Sequence, residues 1–311
     1  MDIIASTDVG GIVFVLLGYG SGSFKTAMKF SIDYYLNRMI VADINNDKHL
    51  DIITGSSDEY ISILHGYGNG SFAPPTSFPI SGVSYGVATA DINGDNYMDI
   101  IVLATSVCNV FLGYGNGSFA LEMPLEIKVD SFGLAVGDFN GDNHIDVAVT
   151  SIGDNVVNVF LGYGNGTFRT PVSSSTGTAP SAIAAGDFNG DQKMDLSIAS
   201  CVTDNVYVLH GFVDGSFSEQ MTYSTPSCPE FIAIDDVNND NYLDLVIANR
   251  DNNTFSIFLG HGNGTFGTQM TFPTGSGPDT LTVGDFNRDD RLDVAAAGYS
   301  SGTIDISLNI C

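Results

Sequence analysis

Six stretches of the chain repeat one set of oxygen-bearing side chains at one spacing. In the first, Asp43, Asn45, Asp47 and Asp51 occupy positions 1, 3, 5 and 9 of a nine-residue segment. The set returns as Asp91, Asn93, Asp95 and Asp99, as Asp138, Asn140, Asp142 and Asp146, and as Asp187, Asn189, Asp191 and Asp195. Asp236, Asn238, Asp240 and Asp244 make the fifth copy, and Asp285, Asn287, Asp289 and Asp293 the sixth. Alternate side chains of a tight loop can point inward together, and the backbone carbonyl of position 7 can join them. That residue is His49, Tyr97, His144, Lys193, Tyr242 or Arg291. Three carboxylates, an amide and a carbonyl approach the roughly six to eight oxygens that Ca²⁺ prefers, whereas Mg²⁺ asks for fewer protein ligands in stricter octahedral geometry. Softer metals ask for Cys or His. The expected chemistry is calcium coordination, by up to six ions.

Asp and Asn also cap turns by accepting backbone N–H bonds, and for one such loop the two readings would stand level. Six copies weigh against it, because a turn needs one or two such residues, and three carboxylates in one loop repel unless a cation sits among them. Positions 1, 5 and 9 hold 18 of the 36 acidic residues, and six ions at +2 each would take the net charge from −26 to −14. An EF-hand is excluded: its position 12 is a Glu entering a helix, whereas here that position is Thr54, Val102 or Val149, within apolar strand-like runs.

A second segment marches with the first. Gly66-Tyr67-Gly68-Asn69-Gly70-Ser71-Phe72 recurs from Gly18, Gly113, Gly162, Gly211 and Gly260, at steps of 47 to 49 residues, as the Asp segments do. Each period reads as four short strands, for example Gly133–Gly137 before an Asp loop, Val147–Thr150 after it, Val157–Leu161, and a more polar one around Arg169 to Ser173. No twelve-residue stretch carries a helical period. Four strands per period of this length make an all-β β-propeller of four-stranded antiparallel blades. The chain opens on the last position of an Asp loop, Asp2, and closes after a third strand, which predicts seven blades with two incomplete terminal ones. Their expected bounds within a single domain are 1–36, 37–84, 85–132, 133–180, 181–229, 230–278 and 279–311.

Composition agrees. Glycine occurs 36 times and tryptophan not at all, as suits a turn-rich β protein. Ten basic residues against 36 acidic ones, with a pI near 4.1, argue against nucleic acid as a partner. The longest apolar run, Ile12–Leu17, is strand length, so no transmembrane segment is expected. No signal peptide is visible, and the segment reads equally as a piece of a longer array.

The D-x-N-x-D-x-x-x-D loop, between a strand ending in Gly-Asp-Phe and one of the Asp-Val-Ala-Val kind, resembles the FG-GAP repeats that build the propeller of integrin α-subunits. Similar repeats occur in secreted proteins, adhesins and some fungal lectins. The resemblance spans essentially all 311 residues. It implies that each Asp loop binds Ca²⁺ between the first two strands of a blade, and it leaves the ligand open. One departure stands out. The family has Gly at position 6, where a left-handed backbone is wanted; here Lys48, Asn96, Asn143, Gln192, Asn241 and Asp290 stand there. Lys and Gln tolerate that conformation less well than Asn, so the loops at Asp43 and Asp187 are expected to bind most weakly.

The remaining candidates are thinner. The glycine-rich segments read as turns with Asn-Gly supplying positive φ; four also spell glycosylation sequons, at Asn69, Asn116, Asn165 and Asn263, and Asn252 gives a fifth. The five histidines stand beside no singular nucleophile or base. Of four cysteines, Cys201 and Cys228 fall on the face opposite the Asp loops, near one blade boundary, which suits a disulfide; Cys108 and Cys311 fall on different faces and are expected to be free or paired elsewhere. All four as small buried hydrophobes is the alternative.

Turns on the Asp-loop face repeat, whereas those on the opposite face differ from blade to blade, and varied loops on a constant frame are where recognition resides. The resemblance therefore implies an extracellular or cell-surface module for adhesion, binding protein or glycan on the face opposite the calcium loops. Tyr60, Tyr85, Arg250 and Tyr299 are its candidate contacts. A polysaccharide lyase or hydrolase on the same frame, or a passive spacer, are the alternatives.

Overall fold

The computed structural model describes residues 1–7, 10–32, 34–121, 124–127 and 130–309. Its strands form seven antiparallel sheets in chain order, and one 3-10 turn, Arg250–Asn252, is the single helical element among the described residues. Blade 4 shows the pattern: Ser131–Gly137, Asp146–Ser151, Val156–Phe160 and Val172–Ser175 pair in sequence order, with Gly137 opposite Asp146 and Val147 opposite Phe160. The second strand of blades 2 to 6 is buried along its whole length. Both of its faces therefore need apolar side chains, which is why it reads as a run such as Ile100-Ile101-Val102-Leu103 instead of an alternation.

The fourth strand of blade 4 begins at Val172, later than the polar segment at Arg169 suggests. Arg169 still donates its N–H to Leu161, at 2.8 Å, to close the preceding turn, and Pro171 has no N–H to extend the ladder. In blade 3 two described segments, Phe119–Leu121 and Leu125–Glu126, pair with Val107–Gly113. First strands begin at residues 36, 84, 131, 183, 229 and 278, against expected blade starts of 37, 85, 133, 181, 230 and 279. Cys311 lies outside the described residues.

These first strands pack against one another from blade to blade and form the inner ring of a seven-bladed propeller. Blade 1 has Ile3–Thr7, Ile12–Leu16 and Met28–Ser31, the counterparts of second to fourth strands; blade 7 has Pro278–Gly284, Asp293–Gly298 and Thr303–Ser307, first to third. Among the described residues no strand is shared between them. The ring closes by side-chain packing: Phe24 meets Phe286 edge-on at 6.2 Å, Gly22 donates its N–H to the Phe286 carbonyl at 3.1 Å, and Ile3 and Ala295 are buried beside them.

Each interface between neighbouring blades has its own apolar cluster. Position 2 of every Asp loop, Ile44, Ile92, Phe139, Phe188, Val237 or Phe286, is buried there. Where the next blade has a glycine-rich turn, it faces the phenylalanine that ends that turn: Phe139 meets Phe217 at 6.0 Å and Phe188 meets Phe266 at 5.4 Å. The two sequence markers thus interlock across blade boundaries. Replacing Phe139 by alanine should remove about 3–5 kcal/mol of stability, read by urea denaturation; a loss under about 1 kcal/mol would mean that the clasp is not an anchor.

Candidate metal centres and recognition faces

The Asp loops join first to second strands, and all six adopt one backbone path. Position 6 is left-handed throughout, with φ of 70° at Lys48, 66° at Asn96, 64° at Asn143, 67° at Gln192, 68° at Asn241 and 64° at Asp290. Position 4 is left-handed as well, at Asn46, Gly94, Gly141, Gly190, Asn239 and Arg288. Lys48, Gln192 and Arg288 hold this conformation without the side chains that favour it.

Loop side chains fold back on their own backbone. In the third loop Asp138 accepts N–H bonds from Gly141, Asp142 and Asn143 at 2.7 to 3.1 Å, Asn140 accepts from Asp142, and Asp142 accepts from His144 at 2.9 Å. Position 9 differs. Asp146 is fully buried, one oxygen accepting from Phe139 N–H at 2.9 Å and the other from Gly162 N–H, the first glycine of the turn, at 2.7 Å. Asp51, Asp99, Asp195 and Asp244 do the same for Gly66, Gly113, Gly211 and Gly260. Asp2 likewise accepts from Gly18 N–H at 2.8 Å. Position 9 is therefore a structural bridge in its own right, which the spacing alone did not reveal.

The electrostatics divide the loop. The His49 N–H holds Asp47 below the usual carboxylate range. Burial pushes Asp146 and Asp244 up to about 6 against the pull of their N–H donors, and the charges of positions 5 and 1 add to the rise. Asp99 and Asp195 are raised by burial too. Mutual repulsion of three carboxylates is what a hard cation relieves, so the donor types fit calcium. Among the described residues no Asp loop brings one oxygen from each of three acids within 4.8 Å of one another, so a cation would have to draw them together.

Two loops carry an extra group. His65 Nδ1 lies 3.3 Å from Asp51 and His210 Nδ1 lies 3.2 Å from Asp195, in the loops at Asp43 and Asp187. Each histidine immediately precedes the glycine that position 9 binds; elsewhere that residue is Leu17, Leu112, Leu161 or Leu259. That adjacency was the available signal.

In the glycine-rich turns Asn69, Asn116, Asn165 and Asn263 accept both the N–H and the O–H of the Ser or Thr two residues on. Turn geometry thus accounts for these four sequons.

On the opposite face the first strands of blades 2, 3, 4, 6 and 7 carry a register shift near their start. Such a bulge re-aims a side chain. Tyr85 there packs on Phe132, with ring centres 4.7 Å apart, while Tyr60 stacks on Tyr34 at 4.5 Å. Arg250 and Tyr299 share a cleft with Asp251, Asn253, Asp279 and Ser300. Arg250 is paired with Glu230 at 2.9 Å, a partner that a sequence without the bulge does not suggest. The four candidate contacts therefore divide among three places.

Cys201 and Cys228 are joined as a disulfide beside Arg250 and Glu230, so their sulfurs offer no thiolate to a metal. Cys108 is buried and unpaired, its thiol pushed up to about 12 by burial.

The model of the FG-GAP-like repeat matches residues 43–102, 138–198 and 236–296, more than half of the chain. No curated protein matches the sequence. Among solved structures the chain is similar to the BP39L lectin from Burkholderia pseudomallei, at 17% identity over 98% of this chain and 90% of that one, with a TM-score of 0.74. It is similar to an Agrocybe aegerita lectin studied for its recognition of non-reducing terminal N-acetylglucosamine, at 16% identity over 99% and 85%, TM-score 0.63. A Bacteroides uniformis protein provisionally described as a 6-phosphogluconolactonase matches at 15% over 99% and 92%, TM-score 0.74. At these identities the likeness is one of fold. Among the described residues no helix is long and apolar enough to cross a membrane.

Two outcomes test the loop chemistry. Asp146→Ala strands two buried N–H groups, at about 1–3 kcal/mol each, and should destabilise in EDTA as in calcium. Asp142→Ala should cost stability in calcium and little in EDTA; equal losses in both would make position 5 only a turn residue. A carboxyl still protonated in the native chain where the unfolded one has ionised makes the native state the better proton binder. The metal-free protein should therefore lose stability as pH rises from the ordinary aspartate value of 3.8 to about 6. Millimolar calcium should flatten that slope, and identical melting-temperature profiles with and without it would contradict the coupling.

Proposed function

Because the chain belongs to the FG-GAP-like repeat family, we propose that it is an extracellular recognition module, a propeller braced by calcium in its Asp loops that binds carbohydrate. The observation that carries the calcium part is the repetition of one hard-oxygen donor set in six loops of one backbone path. Asp43, Asn45, Asp47, Asp51 and the carbonyl of His49, with the matching residues of the other five loops, would hold the ions. A bound divalent ion supplies counter-charge to carboxylates that otherwise repel. The loops at Asp43 and Asp187 would fill last, since each combines an ill-suited residue at position 6 with a histidine against position 9.

Carbohydrate is favoured over protein by the two lectins of like fold. The Cys201–Cys228 disulfide suits an oxidising compartment. On the face opposite the Asp loops, the cleft of Arg250, Asp279 and Tyr299 joins hydrogen-bonding groups to a ring that is 66% exposed, and we assign it as one contact region.

An array of glycans and matrix proteins, run in millimolar calcium and again in EDTA, tests this. Calcium-dependent binding to glycans is expected. Binding only to proteins would overturn the ligand class, a blank array from a cooperatively melting protein would overturn recognition, and release of reducing ends from polysaccharide would favour the enzyme alternative.

A further inference from the structure

We propose that the turns between third and fourth strands form a ring of shallow subsites for neutral pyranose sugars on the Asp-loop face, each built on one exposed aromatic side chain. The proposal rests on the carbohydrate reading above and gives it a place distinct from the Arg250 cleft.

In Gly66-Tyr67-Gly68-Asn69-Gly70-Ser71-Phe72 the structure accounts for every residue but one. A Cβ on Gly66 would run into the Leu50 carbonyl, and Gly68 and Gly70 have φ of 70° and 87°. Asn69 accepts two bonds from Ser71, and Phe72 packs into the interface cluster. Tyr67 alone has no structural task. It is 57% exposed, and its hydroxyl makes no hydrogen bond among the described residues. Tyr19, Tyr114, Tyr163 and Phe212 repeat this at exposures of 47% to 60%, and His261 takes the place in blade 6. A turn tip would accept a serine or lysine there, yet five of the six turns expose a large ring at this one position. Phe212 shows that the ring, not the phenol, is what recurs.

In blades 2, 3, 4 and 6 a second ring borders the turn. The position-7 side chain of the Asp loop lies over the turn's middle glycine: His49 over Gly68, Tyr97 over Gly115, His144 over Gly164 and Tyr242 over Gly262. In blade 3, Tyr97 thus covers the glycine that follows Tyr114, and two aromatic side chains border one turn. An exposed flat aromatic face suits the C–H face of a pyranose. Charge narrows the sugar class: a chain whose net charge stays at −14 even with six calcium ions bound repels uronates and sulfated sugars. Each subsite is weak alone, and strength comes from several engaging one glycan surface. The carbonyl of position 7 is a proposed calcium ligand, so the same residue links the loop to the wall of the subsite.

Arg169 already covers the Tyr163 ring, 5.2 Å from its centre, so the test uses the open copies. A Tyr19→Ser, Tyr67→Ser, Tyr114→Ser triple variant and an Arg250→Ala, Tyr299→Ala double variant are compared with the parent chain in millimolar calcium. The probes are immobilised neutral hexose and N-acetylhexosamine oligosaccharides, with an oligouronate as control, and unchanged melting temperatures establish folding. The triple variant should lose at least about tenfold in apparent affinity, because avidity multiplies weak sites. Native mass spectrometry of the parent with a short oligosaccharide should show more than one sugar per chain. Full binding by the triple variant with loss in the double variant would overturn the ring and leave the carbohydrate reading standing. A parent chain that binds no sugar would overturn both, and preferred binding of the oligouronate would overturn the ligand class.

Discussion

A buried carboxylate at the head of each second strand in blades 2 to 7 carries the constraint on which the rest depends. With one oxygen it accepts from position 2 of its own Asp loop, and with the other from the residue that opens the turn after the third strand. Asp244 does so at 2.9 Å to Val237 and 2.7 Å to Gly260, and Asp293 at 3.0 Å to Phe286 and 2.8 Å to Asn309. A buried ionisable group is tolerated only when so bonded. The bridge fixes where the loop ends and where the turn begins, and so explains why the two markers keep step along the chain. It also aims position 2 into the neighbouring interface, where Phe139 and Phe188 meet the phenylalanine of the next turn.

From this follows a division of the molecule. The second strands and the position-2 side chains make the interfaces, and they are apolar because both of their sides are covered. The loop residues at positions 1, 3, 5 and 9 are held by backbone N–H donors, which preorganises their oxygens while leaving their charges uncompensated. The turn tips and the opposite face are free of these demands, and residues found there without a structural task are the ones open to recognition.

Much of this was legible in the sequence. Period, strand number per blade, the three-stranded ends and the loop positions all follow from spacing, because the repeat presents each feature six times. What spacing could not show was three-dimensional reuse. Asp51 reads as a ligand position, and only the fold reveals that Gly66 is its second partner. His65 and His210 read as scattered substitutions for leucine, whereas the fold sets them against Asp51 and Asp195. The bulges that bring Glu230 to Arg250 and Tyr85 to Phe132 leave no period to read. Exposed turn tyrosines were absorbed into turn chemistry, since glycine and asparagine suffice to explain the backbone and say nothing about the ring beside them.

The central proposal is that each of the six Asp loops holds a calcium ion of its own. Its most direct test is a metal count: the chain is equilibrated with calcium, freed of unbound ions by gel filtration, and its calcium per polypeptide determined by plasma mass spectrometry. The account predicts several calcium ions per chain and at most six, falling by one when Asp138 is replaced by alanine. A folded protein that retains none would contradict it, and the loops would then be turns held by their own backbone bonds.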